Sequence, residues 1–122
     1  MSGFAGPVII QAWPIIYVMN KTDQLINDLY FTMDNYSKTD VKIKKVKVGA
    51  TATTSIYNRG YLGTKNLYLY YTDKKGYKCQ HTIYDSLQSN YNGNILITIT
   101  DVNEDGILKF NVIMDYDPLK TH

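Results

Sequence analysis

The chain has 122 residues, enough for one domain that buries its own core without help from metal or disulfide. Its formal charge of +2 excludes the strong basic excess of a general nucleic-acid binder, and its single cysteine, Cys79, excludes an intrachain disulfide. Twelve tyrosines stand beside one arginine, Arg59, and one glutamate, Glu104, a bias that codon usage in an AT-rich genome produces without selection for function.

The first segment, residues 1–13, reads as an arm outside the core, with Phe4, Pro7, Ile9 and Trp13 as candidate interface residues. It has no positively charged n-region, and its apolar run is broken by Gln11 and Pro14, so it predicts cytoplasmic synthesis without a signal peptide and no membrane span. Strand signals then recur. "PIIYVMN" (14–20) is β-branched and apolar, and "LINDLYFTM" (25–33) puts Leu25, Leu29, Phe31 and Met33 on one face. "DVKIKKVKV" (40–48) alternates but changes phase at Lys44-Lys45, which predicts a β-bulge that returns Val46 and Val48 to the side of Val41 and Ile43. Lys42, Lys44, Lys45 and Lys47 then project outward, a device that blunts a sheet edge; a basic stripe facing nucleic acid or an acidic partner is the competing reading.

"ATATTSIY" (50–57) aligns Ala50, Ala52, Thr54 and Ile56, and "NLYLYYT" (66–72) joins "YKCQHTIY" (77–84) through the hairpin "DKKG". "NILITIT" (94–100) joins "ILKFNVIM" (107–114) through "DVNEDG". Helix periodicity is absent, and no linker or repeat divides the chain. Strands at spacings near ten residues predict an all-β, single-domain antiparallel β-sandwich over residues 14–117, Ig-like or jelly-roll-like, with a tail at 118–122.

Chemistry-bearing groups are few. Cys79 and His81 share one strand face with Tyr77 and Ile83; core packing is favoured over a Cys–His nucleophile pair, because same-face neighbours on a strand stand about 6.6 Å apart. No zinc set, phosphate loop or carboxylate pair is present, so no cofactor and no enzymatic activity are expected. Asp101, Asn103, Asp105 and Gly106 match positions 1, 3, 5 and 6 of a calcium loop. Position 12 is Val112 and both flanks read as strands, so the EF-hand reading fails. A type I turn with a G1 bulge is expected, with a weak calcium site at Asp101, Asn103 and Asp105 as the alternative.

The irregular segments 58–65 and 85–93 carry the candidate binding residues Tyr57, Arg59, Tyr61, Tyr84, Tyr91 and Asn92, because Tyr and Arg bury area while keeping a hydrogen bond. Residues 15–56, with "YVMNKTDQLINDLYFTMDN" and "VKVGATATTSI", resemble the opening of bacterial immunoglobulin- or fibronectin-III-like modules. That resemblance implies a sandwich with a binding or structural role and transfers no functional residue. The usual glutamate after the glycine is replaced here by Ala50. The expected function is a non-enzymatic assembly subunit that engages neighbouring protein chains as a homo-oligomer or part of a viral or other multi-subunit particle. The alternative is a module that binds a glycan or peptide through its tyrosine loops.

Overall fold

Alternating β-branched and apolar residues pair here into eight strands, seen in a computed structural model that describes residues 13–34, 40–58 and 61–119. They are β1 (Ile15–Asn20), β2 (Ile26–Met33), β3 (Val41–Val46), β4 (Thr51–Ser55), β5 (Thr64–Thr72), β6 (Lys78–Gln88), β7 (Asn94–Val102) and β8 (Leu108–Met114). They form two four-stranded sheets, in the orders β4-β1-β7-β8 and β3-β2-β5-β6. Every neighbouring pair is antiparallel except β1 and β7, which run parallel. The all-β sandwich read from the sequence is the fold.

The inward rows of the two sheets make the core. Ile16, Val18, Ile95, Ile97 and Ile99 from one sheet are fully buried, as are Phe31, Leu67, Leu69 and Leu87 from the other. Successive strands alternate in direction, so the β1–β2, β3–β4, β5–β6 and β7–β8 connections gather at one end. The strand ends that flank the remaining connections lie at the other, with Trp13 and the segment after β8.

The phase change at Lys44-Lys45 is real, but the predicted bulge in β3 is not. The β2–β3 register runs without a shift from Ile26↔Val46 to Phe31↔Val41. β2 carries a matching extra residue, Asp28, in the left-handed region at φ 57°. Both strands therefore switch face together, which also exchanges Leu25 for Ile26: Leu25 is exposed and Ile26 is buried. β3 ends at Val46, so Val48 lies outside it and is exposed. The four lysines are all exposed on β3 and just beyond it, at a sheet edge as read. Tyr77 is a second correction. It precedes β6 and is 68% exposed, so it is not core.

Asn20 ends β1 and is completely buried. Its Nδ2 donates to the carbonyls of Gln24 (2.8 Å) and Val46 (3.0 Å), and its Oδ1 accepts from the N–H (2.9 Å) and hydroxyl (2.7 Å) of Thr22. One amide side chain thus fastens the β1–β2 connection to β3 of the opposite sheet. The "NKT" triplet at 20–22 fits a glycosylation acceptor pattern, but this Asn has no face left for a glycan in the folded chain.

Two hairpins close the same end. In each, an Asx side chain accepts two backbone N–H groups: Asp73 from Lys75 and Tyr77, and Asn103 from Asp105 and Ile107, all at 2.9 Å. A glycine with positive φ follows, Gly76 at 90° and Gly106 at 82°. The Gly106 N–H donates to the Asn103 carbonyl and the Asn103 N–H to the Ile107 carbonyl, both at 3.0 Å, which is the predicted type I turn with a G1 bulge. The tips touch: the Lys74 N–H donates to the Asp105 carbonyl at 2.9 Å, and a Cβ on Gly106 would lie 3.2 Å from the Lys74 nitrogen.

Candidate functional site

β1 is apolar on both faces, and the adjacent β7 and β8 each add one outward apolar residue, Leu96 and Ile113, to rows that are otherwise polar. Ile16, Val18, Ile95 and Ile97 point inward, while Tyr17, Met19, Leu96 and Ile113 occupy the outer face. The register sets Tyr17 opposite Leu96 and Leu96 opposite Ile113. A sheet with one face in water needs only one apolar row per strand. Tyr17, Met19, Leu96 and Ile113 together make an outward apolar patch beyond that need.

The chain covers part of that patch itself. Asp115 adopts φ 55°, a left-handed conformation that Asp tolerates better than most residues, and reverses the chain after β8. The Tyr116 N–H then donates to the Asn94 carbonyl (2.9 Å), and Asn94 Nδ2 donates to the Tyr116 carbonyl (3.1 Å). The Tyr116 ring meets Tyr17 edge-on at 5.3 Å between centroids. What remains open is a groove of about 440 Å³ among Met19, Leu96, Thr98, Ile113 and Tyr116, with Lys21, Asp115 and Asp117 on its lining as charged groups. Ile113 in this groove is 53% exposed.

Tyr91 holds the reversal. Its hydroxyl donates to Asp115 Oδ1 (2.9 Å) and accepts the Asp115 N–H (3.2 Å). Burial pushes the Tyr91 phenol up to about 12, the Asp115 carboxylate adding to the rise while the Asp115 backbone bond opposes it. Gly93 makes room for the clamp, since a Cβ there would sit 2.5 Å from the Tyr91 hydroxyl and 2.8 Å from Asp115 Oδ1. Buried Asn58 ties the Tyr91 segment down by donating to the carbonyls of Tyr91 (2.7 Å) and Gln88 (3.2 Å).

The two tyrosine-bearing segments do share one end of the sandwich, joined by the Ser89 N–H donating to the Gly63 carbonyl at 3.2 Å. They do not present six binding side chains. The Tyr61 hydroxyl donates to the Leu87 carbonyl at 3.2 Å, and Tyr91 serves as the clamp. Tyr84 lies on β6, which runs on to Gln88, and borders a hollow of about 150 Å³ with Ser86, Gln88, Asn90 and Tyr91. Tyr57 is exposed and packs its ring on Trp13 at 5.8 Å, and Asn92 is exposed. Arg59, Phe4, Pro7 and Ile9 lie outside the described residues.

A tyrosine band crosses the outer face of the second sheet. Tyr30 and Tyr70 stack at 4.8 Å, with Lys42 5.2 Å from the Tyr30 ring and Lys78 4.2 Å from the Tyr70 ring. Since Lys42 and Lys78 come from the strands on either side, each ring has both faces occupied. The band braces the sheet and leaves no ring face for a base or sugar to stack on. Lys42 is further held by Asp28 at 3.1 Å.

Cys79 and His81 face inward, partly buried, but not as a pair. His81 Nε2 lies 2.9 Å from the Tyr71 hydroxyl, whose oxygen already accepts the Leu108 N–H at 2.8 Å and so has its proton to give. The Cys79 thiol points to the Tyr77 carbonyl at 3.9 Å. Burial lowers His81 below its ordinary value of 6.5. The unfolded chain therefore takes up this proton first, so the stability held above pH 6.5 is lost as pH falls from there through the folded value. Melting temperature recorded from pH 7.5 to 5 is expected to fall over that window, and His81→Gln is expected to flatten the slope. An unchanged slope in the variant assigns the acid sensitivity elsewhere.

At the calcium candidate, Asp101 Oδ1 accepts the Val102 N–H and Asn103 Oδ1 accepts two backbone N–H groups, all at 2.9 Å. The Asn103 oxygen that a cation would need is thus spent on the turn. Among the described residues, no group of three or more His, Cys, Asp or Glu is placed to hold a metal ion, and no helix is long and apolar enough to cross a membrane.

The groove residues Met19, Leu96, Ile113 and Tyr116, and their supports Asn58, Gly93 and Asp115, are not among the candidates read from sequence. Their signal was present in the unbroken apolar runs Ile95-Leu96-Ile97 and Val112-Ile113-Met114. Comparison with known proteins adds little. No protein-family model matches the chain, and no curated protein matches it. Among solved structures, an NMR structure of a protein from Eubacterium rectale is similar at 12% identity and a TM-score of 0.48, over 94% of this chain and 100% of that one.

Proposed function

We propose that this chain is a non-enzymatic assembly subunit that engages another protein chain through the groove on the outer face of the β4-β1-β7-β8 sheet. The observation that carries the reading is the outward apolar patch of Tyr17, Met19, Leu96 and Ile113, half-covered by Tyr116 and open at Ile113. An apolar floor with Lys21, Asp115 and Asp117 beside it matches the make-up of protein interfaces, with an apolar centre and a polar rim.

Light scattering and sedimentation over a wide concentration range test it. The wild-type chain is expected to self-associate, and Ile113→Lys, which sets a charge in the groove without touching the core, is expected to weaken association at least tenfold, about 1.4 kcal/mol. A chain that stays a monodisperse monomer at high concentration counts against a homo-oligomer. Association that ignores Ile113→Lys removes the groove from the account.

A further inference from the structure

Of the four sheet edges, three are blunted. β3 carries its lysines, β6 is broken by register shifts and a left-handed Ser86 at φ 60°, and β4 is five residues long. β8 differs. Its seven residues, LKFNVIM, hold one charge, Lys109. Phe110, Val112 and Met114 on its inner side are only partly buried, and Ile113 on its outer side is exposed. An apolar edge strand of this kind, open on both sides, is a template for a further strand.

We propose that the β8 edge accepts an extended strand from residues 4–10 of a second copy of this chain, an inference that rests on the groove reading above. That segment, FAGPVII, is apolar, ends in β-branched residues, and lies in a stretch without a charged residue before Lys21. Added to β8, its alternate side chains fall into the groove beside Ile113 on one face and over Phe110 and Val112 on the other. The place where the chain leaves the sandwich favours a second copy as donor. Pro14 accepts the Ile56 N–H at 3.2 Å and Trp13 packs on Tyr57, so the chain departs beside β4, the edge opposite β8. Only residues 11–13 lie between that exit and the donor segment, roughly 10 Å if extended, short of the three strand spacings that separate β4 from β8 in the same molecule.

Two full-length variants test it, Ile9→Asp in the donor segment and Ile113→Lys in the groove. Each alone is expected to lose self-association at least tenfold. Mixed together they are expected to form a 1:1 complex, because one retains an intact donor and the other an intact groove. Amide hydrogen exchange along β8 is expected to slow in that complex. If Ile9→Asp associates like wild type while Ile113→Lys does not, the donor segment is wrong and the groove reading stands. If the wild type is a monomer whose β8 amides exchange more slowly than those of Ile9→Asp, the donor is the same chain, and the second copy is ruled out. A monomer with no such difference ends the strand-donor proposal and the homo-oligomer with it.

Discussion

Asn20→Ala is expected to lower the free energy of unfolding by about 3 kcal/mol, a large share of what a domain this size possesses. The change removes four hydrogen bonds from a completely buried site. The N–H and hydroxyl of Thr22 and the carbonyl of Gln24 are near enough to the surface to turn to water. The Val46 carbonyl has less recourse, because its bond to Asn20 lies in the interior. Leaving a buried acceptor unpaired costs about 1–3 kcal/mol, and the bonds lost from the two connections add to it. Urea unfolding reads the effect as a lower midpoint at unchanged slope. A loss under 1 kcal/mol would show that the connections hold without the amide. Thr22→Val serves as the comparison: it removes one of the four bonds together with the hydroxyl's two exposed bonds to Gln24, and is expected to cost about 1 kcal/mol.

Gly93→Ala is expected to cost about 2 kcal/mol and to release the fold-back after β8. Here backbone freedom is not the issue, since the constraint is space. The new methyl would have to share volume with the Tyr91 hydroxyl and the Asp115 carboxylate. Backbone cannot move far at a strand start, so the tyrosine gives way and both its bonds to Asp115 break. Tyr91→Phe removes the same bonds without the clash and is expected to cost about 1–2 kcal/mol. The double variant is then expected to cost less than the sum of the two, because the second change finds the bonds already gone. Full additivity would mean that Gly93 acts through something other than the clamp. Alkaline titration gives a separate reading: the phenol titrating at about 12 in wild type is expected to move toward its ordinary value of 10 in Gly93→Ala.

The fold was legible because alternation survives in almost every strand. It misled where two strands changed phase together. Lys44-Lys45 showed its irregularity in sequence, but Asp28 did not, since Asn27 and Asp28 read as ordinary polar residues in an apolar run. With only one anomaly visible, a bulge was the economical reading; with both, the register closes without one. The site was less legible for a different reason. Tyrosines in loops suggest recognition, yet whether a hydroxyl faces solvent or a carbonyl depends on partners distant in sequence. Tyr91 meets Asp115, and Tyr61 meets Leu87. The groove, by contrast, left its mark as the doubled apolar row of β1 and the runs of three apolar residues around Leu96 and Ile113. Alternation searched for one buried face treats such residues as surplus core, and only the strand order shows that they lie outside.

The strict reversal of strand direction has one more consequence. The first and last strands, β1 and β8, begin and finish at the same end of the sandwich, and the four tight connections occupy the other. A force applied between the two ends of the domain would therefore peel β8 from β7 one pair at a time, a soft geometry. Anchored by either end, the domain would present the same outward tip, the paired hairpins at Asp73–Gly76 and Asn103–Gly106.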